Sequence, residues 1–268
     1  MHAVLFEVFE APGYCSALTI PPEELELFRH AIGKQWLGAI RREYPQYAEQ
    51  FAALGISRYH ELAHLVDHNR LWNKSNRCLP QEDVQALKKL SFLTELKDLF
   101  GEFSISSVAY DNEIVEGQEE IYWRLVRPNR PSDVGPLHAD KWFHEMLGMK
   151  GRAMEQDSYT LKVWTPIYCE PGKNGLLMVP NSHKRTWRHR STLVNGVPKP
   201  VFEDKADPIL VPTPPGNMLI FPEETLHGGA VNQGKETRVS CEITLVFKRK
   251  PAQAGAVSNA PNLSQYNR

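Results

Sequence analysis

Two histidines and one aspartate occur in an order that suits a mononuclear iron site. His138 and Asp140 are separated by one residue, and residues at positions i and i+2 of a strand project to the same side. An imidazole and a carboxylate at this spacing can therefore converge on one cation. His227 follows an apolar run that ends in Pro222 and offers the third ligand. Two histidines and one carboxylate leave several positions of a metal open, which is typical of non-haem Fe(II) oxygenases.

Arg238 lies eleven positions after His227 and completes the pattern. Its guanidinium can form two parallel hydrogen bonds to a carboxylate, which suits a second substrate that chelates the metal through its other end. An isolated His-x-Asp triplet carries little information, because it occurs by chance in many proteins and this sequence contains ten histidines. The prediction therefore depends on the combination of the triplet, the short strands that follow it, the later histidine and the arginine.

The composition is that of an ordinary soluble globular protein. The 268 residues are 41% hydrophobic and 24% charged, with a net charge of −1, and this length suits one large domain with a full core. No long block of one charge sign is present, which argues against general nucleic-acid binding, because that needs a dense basic face. We therefore expect a small-molecule substrate rather than a nucleic acid.

The cysteines and apolar runs predict the compartment. The four cysteines lack CxxC spacing, which favours reduced thiols in a cytoplasmic protein over a disulfide framework or a zinc site. No run approaches the roughly 18 to 20 apolar residues that a membrane span needs. No transmembrane segment is predicted, and any membrane contact would be peripheral.

The elements that must position the site divide into a helical first part and a β-rich second part. Residues 3–9 are predicted to form a strand, and an apolar period of three to four residues predicts a long helix between Pro21 and Pro45. Further helices are predicted at 58–68 and, after two helix-start signals, at 81–90 and 91–100. Short β-favouring runs separated by proline and glycine then follow at 104–110, 120–126, 159–170, 175–179, 209–211, 217–221 and 239–248.

This order predicts a mainly β fold with added α-helices. We expect a double-stranded β-helix, which is a cupin-like jelly roll, buttressed by the N-terminal helices. The prediction is one domain over residues 1–250, with helices mainly in 20–100 and the jelly-roll core in about 103–248. Residues 251–268 are rich in small and polar residues and are expected to form a flexible tail.

The segment from about Glu120 to Phe247 resembles the phytanoyl-CoA dioxygenase family of Fe(II)/2-oxoglutarate oxygenases. In that family a segment like the one at 174–184 usually ends Pro-Gly-Ser-His-Lys, whereas Asn181 replaces the glycine here. Asparagine tolerates left-handed backbone dihedrals, so the same turn is expected. The other matching pieces are Leu137-His138-Ala139-Asp140, Leu161-Lys162-Val163-Trp164-Thr165-Pro166, Pro215-Gly216, His227 and Arg238.

The resemblance implies a hydroxylase with Fe(II) bound by His138, Asp140 and His227. It also implies 2-oxoglutarate as cosubstrate, with its distal carboxylate on Arg238, and O2 as the oxidant. Trp164 is expected either to line the cosubstrate site or to belong to the core.

The substrate is predicted to be small and anionic. Lys141 and Trp142 directly follow the ligands and are predicted at the mouth of the pocket, while Arg185 and Arg188 belong to a local basic cluster. Within the family, the chain length, the 89-position separation of the two histidines and the alanine between His138 and Asp140 are similar to those of 3-hydroxylases of the lipopolysaccharide sugar Kdo. An acyl-CoA is the other candidate, and a lipid-linked sugar would be met at the cytosolic membrane surface.

Two other classes of function share this architecture. A cupin-like metal-dependent isomerase or lyase would keep the three ligands but would not use 2-oxoglutarate, which leaves Arg238 without a particular purpose. A non-catalytic jelly-roll binding module is the second alternative, and the intact set of ligands counts against it.

Overall fold

The structure is a computed structural model that describes residues 2–110, 113–146, 158–194 and 197–248. Over these ranges the chain forms eight α-helices and thirteen strands, with short 3-10 turns between some of the helices. The helices are α1 (His2–Phe9), α2 (Pro22–Glu43), α3 (Ala48–Leu54), α4 (Tyr59–Leu62), α5 (His68–Leu71), α6 (Gln81–Leu87), α7 (Ser91–Phe100) and α8 (Asp140–Met146).

The strands form two main antiparallel sheets and two hairpins. The larger sheet has the order β1-β11-β6-β13-β2, with β5 also paired to β13, and the smaller sheet has the order β10-β7-β12. Strands β3 and β4 form one hairpin, and β8 and β9 form the other. The bounds are β1 (Cys15–Thr19), β2 (Ser104–Ile105), β3 (Ser107–Tyr110), β4 (Glu113–Glu119), β5 (Ile121–Val126), β6 (Tyr159–Tyr168), β7 (Leu176–Met178), β8 (His189–Val194), β9 (Val197–Phe202), β10 (Ile209–Val211), β11 (Asn217–Pro222), β12 (His227–Gly229) and β13 (Arg238–Phe247).

The two main sheets pack face to face, as in a jelly roll. Six buried residues from strands of both sheets form one cluster between them: Trp164, Leu176, Met178, Val211, Leu219 and Phe221. Neither sheet closes into a barrel along the described strands. The predicted jelly roll with added helices is confirmed.

Strand β13 separates the helical layer from the interior of the jelly roll. Alternate residues of a strand point to opposite faces of a sheet. On one face, Val239, Cys241 and Ile243 belong to the hydrophobic cluster that also contains the buried residues of the helices. On the other face, Arg238 and Glu242 line a cavity. The helices therefore cover the outer face of the larger sheet, as predicted.

The long helix of the first part is confirmed as α2. Its predicted apolar positions are all buried, and it ends just before Pro45, which cannot continue a helix. The helices predicted at 81–90 and 91–100 correspond to α6 and α7. The buried predicted positions of α2 are Leu25, Phe28, Ile32, Trp36 and Ile40.

The strand predicted at residues 3–9 is wrong, because these residues lie in helix α1. Val4, Leu5, Val8 and Phe9 are buried, which is the spacing of one helical face, while Phe6 is 58% exposed on the opposite side. A short run that is almost entirely apolar fits a strand and a helix equally well by periodicity.

The single helix predicted at 58–68 is also wrong, because the chain there is divided between α4, a 3-10 turn at Ala63–Leu65 and α5. His60 contacts the Thr237 hydroxyl at 3.0 Å and His68 contacts the Tyr59 hydroxyl at 3.1 Å, so these two imidazoles have separate structural partners. Strands β1, β4, β8, β9 and β12 and helices α3 and α8 were not predicted.

Two further expectations concern the end of the chain and the membrane. The tail predicted at 251–268 lies outside the described residues. Where the structure describes the chain, none of its helices is both long enough and apolar enough to cross a bilayer.

Replacing glycine by alanine is expected to have opposite effects on stability at two positions. A Cβ at Gly229 of β12 would lie 2.9 Å from Cβ of Val134, whereas a Cβ at Gly38 of α2 would meet no atom within 4 Å. We expect Gly229→Ala to lower the free energy of unfolding by about 1–3 kcal/mol, because the loop at Val134 must shift. We expect Gly38→Ala to raise it by about 0.5–1 kcal/mol, because alanine is the better residue inside a helix.

Urea unfolding of both variants beside the wild type measures these two changes. A Gly229→Ala protein as stable as the Gly38→Ala protein would contradict the close approach of Val134 to β12.

Candidate metal centre

A reciprocal backbone pair brings His138 and His227 together. The amide of His138 donates to the carbonyl of His227 at 2.8 Å, and the amide of His227 donates back to the carbonyl of His138 at 2.9 Å. These two bonds form an isolated antiparallel bridge at the end of β12. Residues directly opposite in such a pair project their side chains to the same face. The two imidazole centroids therefore lie 4.5 Å apart.

Asp140 reaches the same point from the first residue of helix α8. One of its carboxylate oxygens, Oδ1, lies 3.7 Å from Nε2 of His138 and 4.0 Å from Nε2 of His227. One ligand atom from each of the three residues lies within 4.8 Å of the others. The three residues lie together in the structure, with His138 in an isolated bridge and Asp140 at the start of a helix instead of both on a strand or strand end.

Backbone carbonyls fix the tautomer of both imidazoles. Nδ1 of His138 lies 2.9 Å from the carbonyl of Pro136, and Nδ1 of His227 lies 2.9 Å from the carbonyl of Thr225. A carbonyl can only accept a hydrogen bond, so each Nδ1 carries the proton and donates it. Each Nε2 of the neutral ring then keeps a lone pair on the side of Asp140. Such outer contacts orient the histidine ligands of a metal.

Burial also favours the neutral form of His227. Burial and the neighbouring His138 lower the pKa of His227 to about 4, although Asp140 acts in the opposite direction. A neutral imidazole is the form that binds a metal. Two imidazole nitrogens and one carboxylate oxygen are the donor set that suits Fe(II) with open positions. The residues present therefore fit this metal.

Arg238 lies in the cavity beside these three residues. Its side chain is 2% exposed, and its Nη1 donates to the carbonyl of Gly175 at 2.6 Å. Nε of Arg238 has no hydrogen-bond partner, and no carboxylate of the described residues forms an ion pair with the guanidinium. Burial lowers the pKa of Arg238 to about 10, so the group is still charged at neutral pH. A buried guanidinium without a counter-ion can bind the carboxylate of a small ligand through two parallel hydrogen bonds.

The cavity has apolar and charged walls. The empty space within it is about 480 Å³, a value that includes the open solvent at its mouth. Trp164 lines it with its ring 5.7 Å from Cζ of Arg238, so the ring serves both the cavity and the cluster between the sheets. Residues that line the cavity include Arg124, Lys162, Trp164, Phe221, Arg238 and Glu242.

Two charged pairs in this cavity were missed by the sequence analysis. Nζ of Lys162 lies 3.4 Å from Oδ2 of Asp140 and donates to the Thr244 hydroxyl at 2.9 Å. Nε of Arg124 donates to Glu242 at 2.7 Å. Burial alone would raise the pKa of Glu242, but Arg124 and Lys162 outweigh it and the pKa is lowered. The available signal was a single charged residue inside an otherwise apolar strand, which is rare without a partner or a function.

Comparison with known proteins identifies the family. Residues 20–240 match the family model described as Phytanoyl-CoA dioxygenase (PhyH). The chain belongs to the PhyH family. No curated protein sequence matches the chain significantly.

Solved structures similar to this PhyH protein share its fold at low sequence identity. The non-heme monooxygenase ThoJ is 13% identical with a TM-score of 0.56, over 94% of this chain and 80% of the other. EctD from S. alaskensis, solved with 2-oxoglutarate and 5-hydroxyectoine, is 15% identical with a TM-score of 0.52, over 91% of this chain and 76% of the other.

Membership of the PhyH family confirms the predicted enzyme class. The protein is a non-haem oxygenase that depends on Fe(II) and 2-oxoglutarate, with O2 as the oxidant. The isomerase or lyase and the non-catalytic binding module are therefore set aside. The predicted turn of the PhyH pattern is also present, because Asn181 has φ 61° in the left-handed region.

The four residues predicted to contact the substrate do not line the cavity of the metal centre. Lys141 is exposed on α8, and Trp142 is buried beneath the β8–β9 hairpin with its ring stacked on His189 at 4.4 Å. The guanidinium of Arg185 covers the ring of Trp187 at 4.1 Å, and Arg188 pairs with Asp204 at 2.7 Å. A role of these residues in substrate binding stays a prediction, and their contacts here are structural.

Asp133 connects the cavity of the PhyH site to the helical layer. Its two oxygens accept from Nη2 and Nε of Arg127 at 2.7 and 2.8 Å, and Nε2 of His68 lies 3.8 Å away. Burial and Arg127 lower the pKa of His68 to about 4, and the attraction of Asp133 does not compensate. The imidazole of His68 is therefore neutral in the folded protein at neutral pH.

Because the pKa of His68 is lowered in the folded protein, we expect the free energy of unfolding to depend on pH below about 6.5. Its pKa is lower in the folded than in the unfolded chain, so the unfolded chain takes up the proton first as the pH falls. This contribution is fully present above pH 6.5 and is lost as the pH falls toward 4, by at most about 3 kcal/mol. We expect the free energy of unfolding to fall less steeply with acidification in His68→Gln than in the wild type.

Urea unfolding at several pH values between 7 and about 4.5 measures this difference. His30→Gln removes an imidazole from the exposed face of α2 and is the matched control. Equal pH slopes for the wild type and His68→Gln would contradict the buried neutral imidazole.

Proposed function

We propose that this enzyme hydroxylates a small anionic organic molecule, with Fe(II) bound by His138, Asp140 and His227 and the distal carboxylate of 2-oxoglutarate bound by Arg238. One observation carries the proposal. Three ligand atoms lie within 4.8 Å of each other, and the two histidines among them line the same cavity as a buried guanidinium that lacks a carboxylate partner among the described residues. A metal and a dicarboxylate cosubstrate satisfy both features together.

When bound, Fe(II) and 2-oxoglutarate supply the chemistry that activates O2 for insertion into a C–H bond. The protein's own groups hold the reactants in register. The carbonyls of Pro136 and Thr225 keep both Nε2 atoms directed at the metal position. Lys162 holds Oδ2 of Asp140, which leaves Oδ1 toward the two histidines. Trp164 forms an apolar wall beside Arg238, which reduces the access of water and strengthens its hold on a carboxylate.

The proposal also covers the extent of the domain, the location of the protein and the class of its substrate. We propose one domain over residues 1–250 and a cytoplasmic location, which the four free cysteines support because a reducing compartment keeps thiols unpaired. A compact sugar acid, such as Kdo with hydroxylation at position 3, suits the cavity better than an acyl-CoA. The cavity has about 480 Å³ of empty space even with the open solvent at its mouth included, and Arg188 is already paired with Asp204.

Asp140→Ala tests the metal centre. We expect the variant to lose tight Fe(II) binding and to form no detectable succinate from 2-oxoglutarate, because only two neutral donors would be left. Anaerobic titration with Fe(II) and a succinate assay measure the two effects. Asp98→Ala, which removes an exposed carboxylate from α7, is the matched control. Wild-type turnover in Asp140→Ala would overturn the assignment of the ligands.

Arg238→Gln tests the cosubstrate site separately from the metal. We expect Fe(II) binding to persist and the dissociation constant for 2-oxoglutarate to rise about tenfold to a hundredfold, since charge-assisted hydrogen bonds contribute about 1.5–3 kcal/mol. The absorbance band that forms when Fe(II) and 2-oxoglutarate are both present, followed anaerobically, reports this binding.

Arg238→Lys keeps the charge without the fork and should give an intermediate dissociation constant. Unchanged 2-oxoglutarate binding in Arg238→Gln would mean that the carboxylate is held elsewhere.

A further inference from the structure

Arg77 is a second guanidinium without a counter-ion. It lies half-buried at the end of the 3-10 turn Ser75–Arg77. Its Nε donates to the carbonyl of Asn73 at 3.3 Å and its Nη1 to the carbonyl of Trp123 at 3.4 Å, and both bonds are long. No carboxylate in the described part of the chain forms an ion pair with it. Burial lowers the pKa of Arg77, because the charged guanidinium has lost part of its contact with water.

Three cationic side chains, including that of Arg77, contact the ring of Tyr122. Cζ of Arg77 lies 4.7 Å from the ring centroid, Cζ of Arg124 lies 5.2 Å away, and Nζ of Lys74 lies 6.0 Å away. Arg124 is paired with Glu242 and Lys74 is paired with Glu120. Three cations therefore face two carboxylates, and the positive charge in excess belongs to Arg77.

This cationic cluster borders the cavity of the metal centre. Tyr122 and Arg124 are two positions apart on β5, so their side chains lie on the same face of the sheet. Arg124 and Glu242 line the cavity, and Tyr122 lies opposite Glu242 in the β5–β13 pairing. An anion that contacts Arg124 from the side of Tyr122 would lie next to the cavity of the metal centre.

The cluster is separate from the guanidinium assigned to 2-oxoglutarate. Arg238 lies opposite Val126 and Glu242 lies opposite Tyr122 in the same ladder. Four residues of strand separate Arg238 from the level of Tyr122, roughly 13 Å, and two residues separate it from the level of Arg124, roughly 7 Å, at about 3.3 Å per residue. The 2-oxoglutarate site and this cluster therefore use different arginines, and Arg77 is on the side of Tyr122 rather than of Arg238.

We propose that Arg77 and Arg124, held against the ring of Tyr122, form a subsite for the carboxylate or phosphate group of the substrate. The proposal rests on the proposed function and names the part of the protein that recognises the substrate's charge. A half-buried guanidinium without a counter-ion gains most from a ligand that supplies one. The planar fork suits a carboxylate or a phosphate, and contact with an aromatic face fixes the plane of the fork before binding.

Inorganic phosphate and acetate serve as probes, because the substrate is not needed to test the subsite. The protein is first loaded anaerobically with Fe(II) and excess 2-oxoglutarate, which occupies Arg238, and each anion is then titrated by calorimetry. We expect saturable binding of at least one anion, and at least tenfold weaker binding of that anion in Arg77→Gln. The anion that binds more tightly identifies the charged group of the substrate.

Three further variants separate this subsite from the rest of the protein. Arg58→Gln removes an exposed guanidinium paired with Glu61 and should leave anion binding unchanged. Arg238→Gln should weaken 2-oxoglutarate but not the probe anion. Arg77→Lys keeps the charge without the fork, so it should bind the anion with an affinity between those of Arg77→Gln and the wild type, which tests the subsite even if Arg77→Gln fails to fold.

The results distinguish the subsite from the proposed function. No binding of either anion to the wild type, equal binding in Arg77→Gln, or an equal loss in Arg58→Gln would overturn the subsite. The absorbance band of the Fe(II) and 2-oxoglutarate complex is recorded in the same samples. Arg77-dependent anion binding without that band would contradict the proposed function and leave the subsite standing.

Discussion

The metal centre depends on one pair of backbone hydrogen bonds between His138 and His227. These residues are 89 positions apart in the sequence, and the two bonds between their peptide groups fix the distance and the direction of both side chains. Chain segments that far apart meet only when the whole jelly roll has formed, because each of its strands sets the register of the next. The chemistry of the site is therefore a property of the complete fold. Asp140 then needs only a turn of two residues to reach the same point.

The pleat of the larger sheet lets one set of strands serve both stability and chemistry. Outward residues of β5, β6 and β13 pack on the helices, while inward residues carry the charges of the cavity. Charged groups at such depth are costly unless they are paired. Arg124 with Glu242 and Lys162 with Asp140 satisfy that condition within the protein. Arg238 and Arg77 lack a carboxylate partner in the described ranges. Arg238 lines the cavity, and Arg77 contacts the ring of Tyr122 next to it, so an anionic ligand could supply the missing charge at each position.

Much of this arrangement could be predicted from residue types and spacing, but not all of it. The helix α2 and the β-rich second part follow from periodicity, and His138, Asp140, His227 and Arg238 follow from a pattern of chemistry. Helix α1 could not be distinguished from a strand, because nearly all of its residues are apolar. The pairing of Arg124 with Glu242 depends on the register of β5 against β13, and register is set by the whole sheet. The position of Arg77 beside Tyr122 depends on how a helical turn docks on that sheet, which no local pattern encodes.

The alternation along β13 also bears on how such a protein diverges. Because inward and outward residues of a strand contact different neighbours, a substitution on the cavity face leaves the packing of Val239, Cys241 and Ile243 on the helices intact. Glu242 is the exception, because its loss would leave Arg124 unpaired, so a change of Glu242 has to be matched by a change of Arg124. Structures only 13–15% identical to this chain keep the same fold, so this architecture tolerates wide changes of sequence.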